Sequence, residues 1–145
     1  MAKTRITYAH LGDNVFQSDG GKMNMIGVFA GLGAPGIVAQ QQFPAIYPRL
    51  ALALGLATTE TKLPIQITFR SEAGKDIVAP FSGTFEIDRT AVPKEESASV
   101  NLNLNFDGFQ IEQPGTLKIT IESNGEELGE LELRVQQAEQ TAPSA

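Results

Sequence analysis

The segment at residues 100–106 alternates strictly between apolar and polar side chains. Its apolar members are Val100, Leu102, Leu104 and Phe106, and its polar members are Asn101, Asn103 and Asn105. Because successive side chains of a strand point to opposite faces, this period of two predicts a half-buried β-strand. Similar segments recur about every 10 to 15 residues, with turn residues between them. The sequence therefore predicts an all-β fold, an antiparallel β-sandwich of about eight strands, either immunoglobulin-like or C2-like.

The length of 145 residues suits one domain. We expect a single sandwich domain over residues 1–135 and a flexible C-terminal tail over residues 136–145, which has no core-forming residue. The chain has no cysteine, so its stability has to come from apolar burial. The residues predicted to face inward between the two sheets are Leu52, Leu54, Ile67, Phe69, Phe85, Leu102, Leu104, Leu117, Ile119 and Leu133.

Two segments near the N-terminus predict a first hairpin. Residues 5–16 form one strand, with Ile6, Tyr8 and His10 on a common face and a bulge or bend at residues 12–14, and residues 23–29 form the other. Further along, residues 50–56 alternate between leucine and very small residues. That strand is expected to have one bulky face and one nearly bare face. A tight turn is predicted at Asn124 and Gly125.

Residues 30–48 do not fit the strand pattern. This stretch is rich in glycine and proline and contains a run of three glutamines. A connection of this length without its own structure is usually either functional or disordered, so we expect a long loop. Its large apolar residues Phe43, Ile46 and Tyr47 are expected to pack either on the sandwich itself or on a partner chain.

The motifs that would support catalysis or cofactor binding are weak. Residues 31–36 have the letters of a dinucleotide fingerprint but no helix pattern follows to receive a pyrophosphate. His10 is the single histidine, and the aspartates that a C2-like calcium site would need are isolated, so turn chemistry explains them. We therefore predict no catalytic residue, no cofactor and no metal site, and a protein that is not an enzyme.

The net charge of −6 is unevenly distributed. Residues 1–75 carry seven basic and four acidic groups, whereas residues 76–145 carry four and thirteen. This balance disfavours binding to nucleic acid and to anionic lipid. The N-terminus has no apolar run behind its two positive charges, so we expect neither a signal peptide nor a membrane anchor.

The polar stripe of residues 101–105 has two interpretations. Asn101, Asn103 and Asn105 carry both hydrogen-bond donors and acceptors and no charge. They form either a solvated outer face or a polar, wet protein interface. The bare face of residues 51–55 is expected to adjoin that interface or to pack closely on other backbone.

Three motifs carry a family resemblance. The chain reads Gly-Lys-Met-Asn-Met-Ile-Gly-Val-Phe at residues 21–29, Phe-Pro-Ala-Ile-Tyr-Pro at residues 43–48, and Leu-Glu-Leu-Arg-Val at residues 131–135. With these it resembles small uncharacterised bacterial and bacteriophage proteins of the pattern G-K-x-N-x-x-G-x-F followed by F-P-x-x-x-P. The resemblance implies a β-rich fold and a bacterial or phage origin, and no activity.

These observations favour a non-enzymatic structural protein, with a bacteriophage capsid decoration protein as the expected form. Its partners would be the capsid protein or copies of itself in a homo-oligomer, within a virion assembled in the host cytoplasm. The C-terminal tail and residues 43–47 are expected to contact those chains, because the tail cannot offset its ordering entropy by its own contacts. The alternative is a cytoplasmic β-sandwich module that binds a peptide or small ligand.

Overall fold

The computed structural model describes residues 4–17, 23–26, 30–40, 42–77, 80–88, 90 and 96–138. All regular secondary structure in these ranges is β-strand, which confirms the all-β prediction. The strands are β1 Thr4–Gly12, β2 Asn14–Gln17, β3 Met23–Ile26, β4 Ala30–Gly31, β5 Gly36–Gln40, β6 Ala45–Thr58, β7 Lys62–Arg70, β8 Phe81–Glu86, β9 Ala98–Ile111, β10 Gly115–Ser123 and β11 Glu126–Gln137.

Two sheets pack face to face and form the predicted sandwich. The first has the strand order β4-β1-β6-β9 and the second has the order β5-β11-β10-β7-β8. Strands β2 and β3 form a separate antiparallel hairpin, and β2 lies against β6 and β9. The neighbours β11-β10-β7 and β6-β9 correspond to strands G-F-C and B-E of the immunoglobulin fold. Of the two predicted alternatives the arrangement is thus immunoglobulin-like, and β1 beside β6 takes the place of strand A.

The inner faces of both sheets form one apolar core. Eight of the ten residues predicted to face inward are buried, which confirms the predicted strand registers. The other two, Phe85 and Leu104, pack against the core but are only half-buried. They lie on β8 and β9, the last strands of their sheets in the described part of the chain, where no further described strand covers them. The rings of Phe69 and Phe106 meet edge to face at 4.7 Å and join the two sheets.

A β-bulge in β1 overturns the expected common face of Ile6 and Tyr8. Ile6 pairs with Leu56 of β6 and Tyr8 pairs with Gly55, so Thr7 is an extra residue. The extra residue reverses the alternation. Ile6 packs into the main core, whereas Tyr8 packs on the outer side of the first sheet.

The prediction of a long loop at residues 30–48 is wrong for most of that range. β4 pairs with β1 in the first sheet, and β5 pairs with β11 in the second, while β6 already begins at Ala45. Between β4 and β5, Gly31 and Ala34 exchange backbone hydrogen bonds of 3.1 and 3.0 Å in a tight turn. The chain therefore passes from one sheet to the other here. Because β5 and β11 are parallel, the sandwich is not purely antiparallel.

The tight turn predicted at Asn124 and Gly125 is confirmed. Asn124 and Gly125 have φ values of 53° and 76° and join β10 to β11. In the predicted first hairpin, a bend at Asp13 separates β1 from β2, and β2 pairs with β3. The residues between β2 and β3, 18–22, lie outside the described part of the chain.

The last strand extends into the segment expected to be a tail. β11 runs to Gln137, and the Ala138 N–H donates to the Gln40 carbonyl at 2.9 Å. Residues 136–138 thus belong to the second sheet, and residues 139–145 lie outside the described part of the chain. Within that part, no helix has the length and apolar character needed to cross a membrane.

Candidate protein-interaction surface

The outer side of the first sheet brings the asparagine stripe together with the bare face of β6. Register places Asn101, Asn103 and Asn105 of β9 beside Gly55, Ala53 and Ala51 of β6, in that order. On the other side of β6, Tyr8 and His10 of β1 pair with Gly55 and Ala53. We call this surface the asparagine face. Its members are Tyr8, His10, Ala51, Ala53, Gly55, Asn101, Asn103 and Asn105.

The middle strand of the asparagine face, β6, forms a shallow groove between β1 and β9. Ala51 and Ala53 are buried beneath their neighbours although they point away from the core, whereas His10, Asn103 and Asn105 are exposed. Tyr8 packs against the two alanines. A side chain of the same sheet therefore packs on the bare face, where the sequence predicts other backbone.

The Tyr8 side chain of β1 crosses β6 at Gly55 and reaches β9. Its hydroxyl donates to Oδ1 of Asn101 at 2.7 Å. A Cβ atom on Gly55 would lie 2.0 Å from the Tyr8 ring, so only glycine leaves room for the ring to cross β6. Partial burial raises the pKa of the Tyr8 hydroxyl above its ordinary value. The ring of His10 stacks beside that of Tyr8, with centroids 6.0 Å apart.

The asparagine face is electrically neutral over most of its length. At one end Arg49 of β6 and Asp107 of β9 form an ion pair of 3.3 Å, and both side chains are at least half exposed. Exposed pairs of this kind contribute little stability. Their opposite charges leave the surface without a dominant sign, and the asparagine amides supply its hydrogen-bonding groups.

The apolar residues predicted as a contact group are not brought together. Phe43 is half-buried against the main core, so it packs on its own sandwich. Ile46 is 64% exposed on β6. The Tyr47 side chain lies outside the described residues, although its backbone pairs with that of Phe109. Phe43 is thus half-buried while Ile46 is exposed, and the backbone partner of Ile46 is Gln110 rather than one of the three asparagines.

Three of the aspartates that were predicted to serve turns have identified side-chain partners. Asp76 pairs with Arg70 at 3.2 Å, and Asp107 pairs with Arg49. Asp88 accepts a hydrogen bond from the Thr90 N–H at 2.9 Å, which lowers the pKa of Asp88. In the described ranges, no three His, Asp or Glu side chains are grouped as a metal site would require.

Sequence reasoning found the asparagine stripe but missed Tyr8, His10 and Gly55 as parts of the same surface. The bulge at Thr7 moves Tyr8 to this face, and no residue type in the segment marks a bulge. The glycine between alanines in β6 was the available signal, since a glycine inside a strand often marks a close approach.

The arrangement defines an immunoglobulin-like β-sandwich with a neutral, polar outer face. Within that class the chain belongs to DUF6941, a family of unknown function whose model matches residues 7–136. This confirms the resemblance to a family without an assigned activity. No curated protein matches the sequence.

One solved structure similar to the chain is the Pseudomonas fluorescens alkylpurine DNA glycosylase AlkC bound to DNA containing an abasic site analog. The identity is 14% and the TM-score is 0.47. The match covers 93% of this chain and 31% of the glycosylase chain, so this protein spans about a third of that enzyme.

Proposed function

We propose that this protein is a non-enzymatic structural protein that binds other protein chains through the asparagine face. The observation that carries the proposal is the exposed, uncharged row of Asn103 and Asn105 beside the buried alanines of β6. Amide side chains can donate and accept hydrogen bonds across a wet interface without the desolvation cost of charges. A shallow surface of this kind suits an extended protein contact better than a small molecule.

The charge distribution supports a protein partner over nucleic acid. The chain carries a net charge of −6, and Arg49 at one end of the asparagine face is paired with Asp107. Binding to nucleic acid rests on neutralising phosphates with basic groups. A neutral face on an acidic protein offers little of that attraction.

The specific form that we propose is a bacteriophage capsid decoration protein, located in the virion. Support comes from the resemblance of residues 21–29 and 43–48 to small bacterial and phage proteins, and from the single compact sandwich with a broad polar face. In this proposal the partner is the shell formed by the major capsid protein, and the chain binds no cofactor.

Co-sedimentation with capsid shells tests this proposal. The shells are assembled from the major capsid protein encoded in the same genome as this chain. The variant H10E places a negative charge on the asparagine face, and T84E places the same charge at an exposed position of β8 on the other sheet. We expect H10E to weaken binding about tenfold, equivalent to about 1.4 kcal/mol, and T84E to bind like the wild type.

Two results would contradict the proposal. If the wild-type chain does not sediment with the shells, the decoration role is wrong. If H10E and T84E bind equally, the asparagine face is not the surface used. The alternative function, a cytoplasmic module for a peptide or small ligand, has less support, because Phe43 packs on the core of its own sandwich whereas Ile46 is exposed.

A further inference from the structure

Strand β9 forms a long edge of the first sheet. It is 14 residues long and pairs with β6 without a register shift from Ala98 to Ile111. Among the described residues, no strand pairs with its other side. A regular, unpaired edge presents a row of backbone N–H and C=O groups that can add a further strand.

The other edges of the sandwich are short or charged. β4 has two residues and β5 has five, while β8 has six and ends at Glu86. The part of β11 that precedes its pairing with β5 carries Glu126, Glu127, Glu130 and Glu132. Short edges and charged edges are the usual protection against strand addition. By contrast, residues 98–106 of β9 contain no charge and no proline.

The inward-facing side chains of β9 are incompletely covered. Val100, Leu104 and Phe106 pack on the core but remain half-buried. Leu56, Leu52 and Leu50, which lie opposite them on β6, are at most 1% exposed. A strand added beside β9 would cover the three half-buried side chains, and burial of apolar surface favours association.

The side-chain pattern of β9 is complementary to itself. In an antiparallel pair with Asn103 opposite its own copy, Asn101 lies opposite Asn105 and Leu102 lies opposite Leu104. Val100 then faces Phe106, and the single charge, Asp107, faces Ser99. A shift of one residue would place asparagines opposite leucines. This pairing is unfavourable, because residues directly opposite each other share a face, and one face of this sheet is buried and the other exposed.

We propose that β9 pairs antiparallel with β9 of a second copy, so that two first sheets join into one continuous eight-stranded sheet. A second copy fits better than an unrelated strand because the alternation matches residue by residue and no like charges meet. Such a two-fold contact is isologous, the commonest form of homodimer. It would align the two asparagine faces side by side.

This inference rests on one part of the proposed function, namely that the protein acts by binding other protein chains. A monomeric wild type that still binds capsid shells overturns the dimer alone. A dimer that does not bind the shells overturns the decoration role alone.

Two variants that carry opposite charges on β9 test the pairing by sedimentation equilibrium. The wild type is expected at twice the 15.5 kDa chain mass. N103K/N105K and N103D/N105D are each expected to be monomers, because like charges meet across the pair, and their equimolar mixture is expected to dimerise. The control S82K/T84K, at exposed positions of edge strand β8, is expected to remain dimeric. A monomeric wild type, a dimer unaffected by N103K/N105K, or a mixture that stays monomeric overturns the proposal.

Single thiols give a second measurement that does not depend on changes of charge. The chain has no cysteine, so N103C and T84C each carry one thiol. A short thiol-to-thiol crosslinker is expected to join N103C into covalent dimers at least about tenfold faster than T84C, since cross-strand Cβ atoms lie about 5 Å apart. Equal rates for the two variants overturn the proposal.

Discussion

The Tyr8 hydroxyl and the Asn101 side chain are joined by a 2.7 Å hydrogen bond that passes over Gly55. The bond connects β1 to β9 across the intervening strand β6. It therefore couples three strands of the first sheet through one side chain, and it depends on a residue that has no side chain. The same contact fixes the shape of one end of the asparagine face.

Gly55→Ala is expected to destabilise the protein by about 1–3 kcal/mol, as overpacking does. The new Cβ would lie 2.0 Å from the Tyr8 ring and 2.7 Å from Thr7 Oγ1. Urea denaturation measures the change. In a Tyr8→Ala background the cost is expected to be smaller, because the ring is gone and residues in contact do not contribute additively. The same cost in both backgrounds would show that the ring is not the obstacle.

Tyr8→Phe is expected to cost about 0.5–1.5 kcal/mol at neutral pH, the net value of one hydrogen bond. Burial raises the pKa of Tyr8 in the folded state, so above about pH 10 the folded chain binds this proton more tightly than the unfolded chain. The stability that Tyr8 contributes is present below pH 10 and is lost as the pH rises further. Denaturation curves from pH 7 to 11 should show the two proteins converging. Tyr47 is present in both, so its titration cancels.

The alternation of residues 100–106 was sufficient to predict one face of the candidate site. A period of two fixes which residues share a face once the strand is known. The neighbours of that stripe were not predictable, because pairing of β9 with β6 and of β6 with β1 joins residues that are far apart in the sequence, such as Ala51 with Asn105 and His10 with Ala53. The bulge at Thr7 then moved Tyr8 to the outer side.

The segment at residues 30–48 shows where the fold was not predictable. β4 and β5 are too short to display an alternation, and the Gly31–Ala34 turn between them has the composition of a loop. β5 is defined by parallel pairing with β11, almost a hundred residues later. Such a strand is selected by tertiary contacts rather than by its own sequence.

In the monomeric N103K/N105K background, Leu54→Ala is expected to cost about 2–5 kcal/mol and Leu104→Ala clearly less. Leu54 is fully buried in the centre of the first sheet, whereas Leu104 is half-buried on the edge strand β9. The loss scales with the apolar area removed from the core. Chemical denaturation of both variants gives the comparison. Equal costs would indicate that the edge of β9 is covered as completely as the centre of the sheet.

Gly125→Ala is expected to cost about 1–2 kcal/mol through the backbone alone. Gly125 has φ of 76°, and no atom lies within 4 Å of a Cβ placed there. Gly129→Ala is the contrasting variant, since its Cβ would lie 2.7 Å from Ile6 Cδ1. Shortening Ile6 to valine should relieve the cost at position 129 and leave that at position 125 unchanged. Relief at both positions would contradict the backbone explanation.

Glu72 links the turn after β7 to the start of β10. Its Oε1 accepts a hydrogen bond from the Thr116 N–H at 2.9 Å, and hydrogen bonds from the side chain and backbone of Thr116 lower the pKa of Glu72. A carboxyl group whose pKa is lower in the folded state stabilises the protein above its unfolded pKa, about 4.5, and loses that contribution as the pH falls. Glu72→Gln keeps an acceptor oxygen for Thr116 but carries no charge at any pH. We therefore expect the wild type to unfold at a higher temperature than this variant at pH 7 and the two to converge below about pH 4. A difference that stays constant from pH 7 to pH 3 would show that the charge of Glu72 does not hold this turn in place.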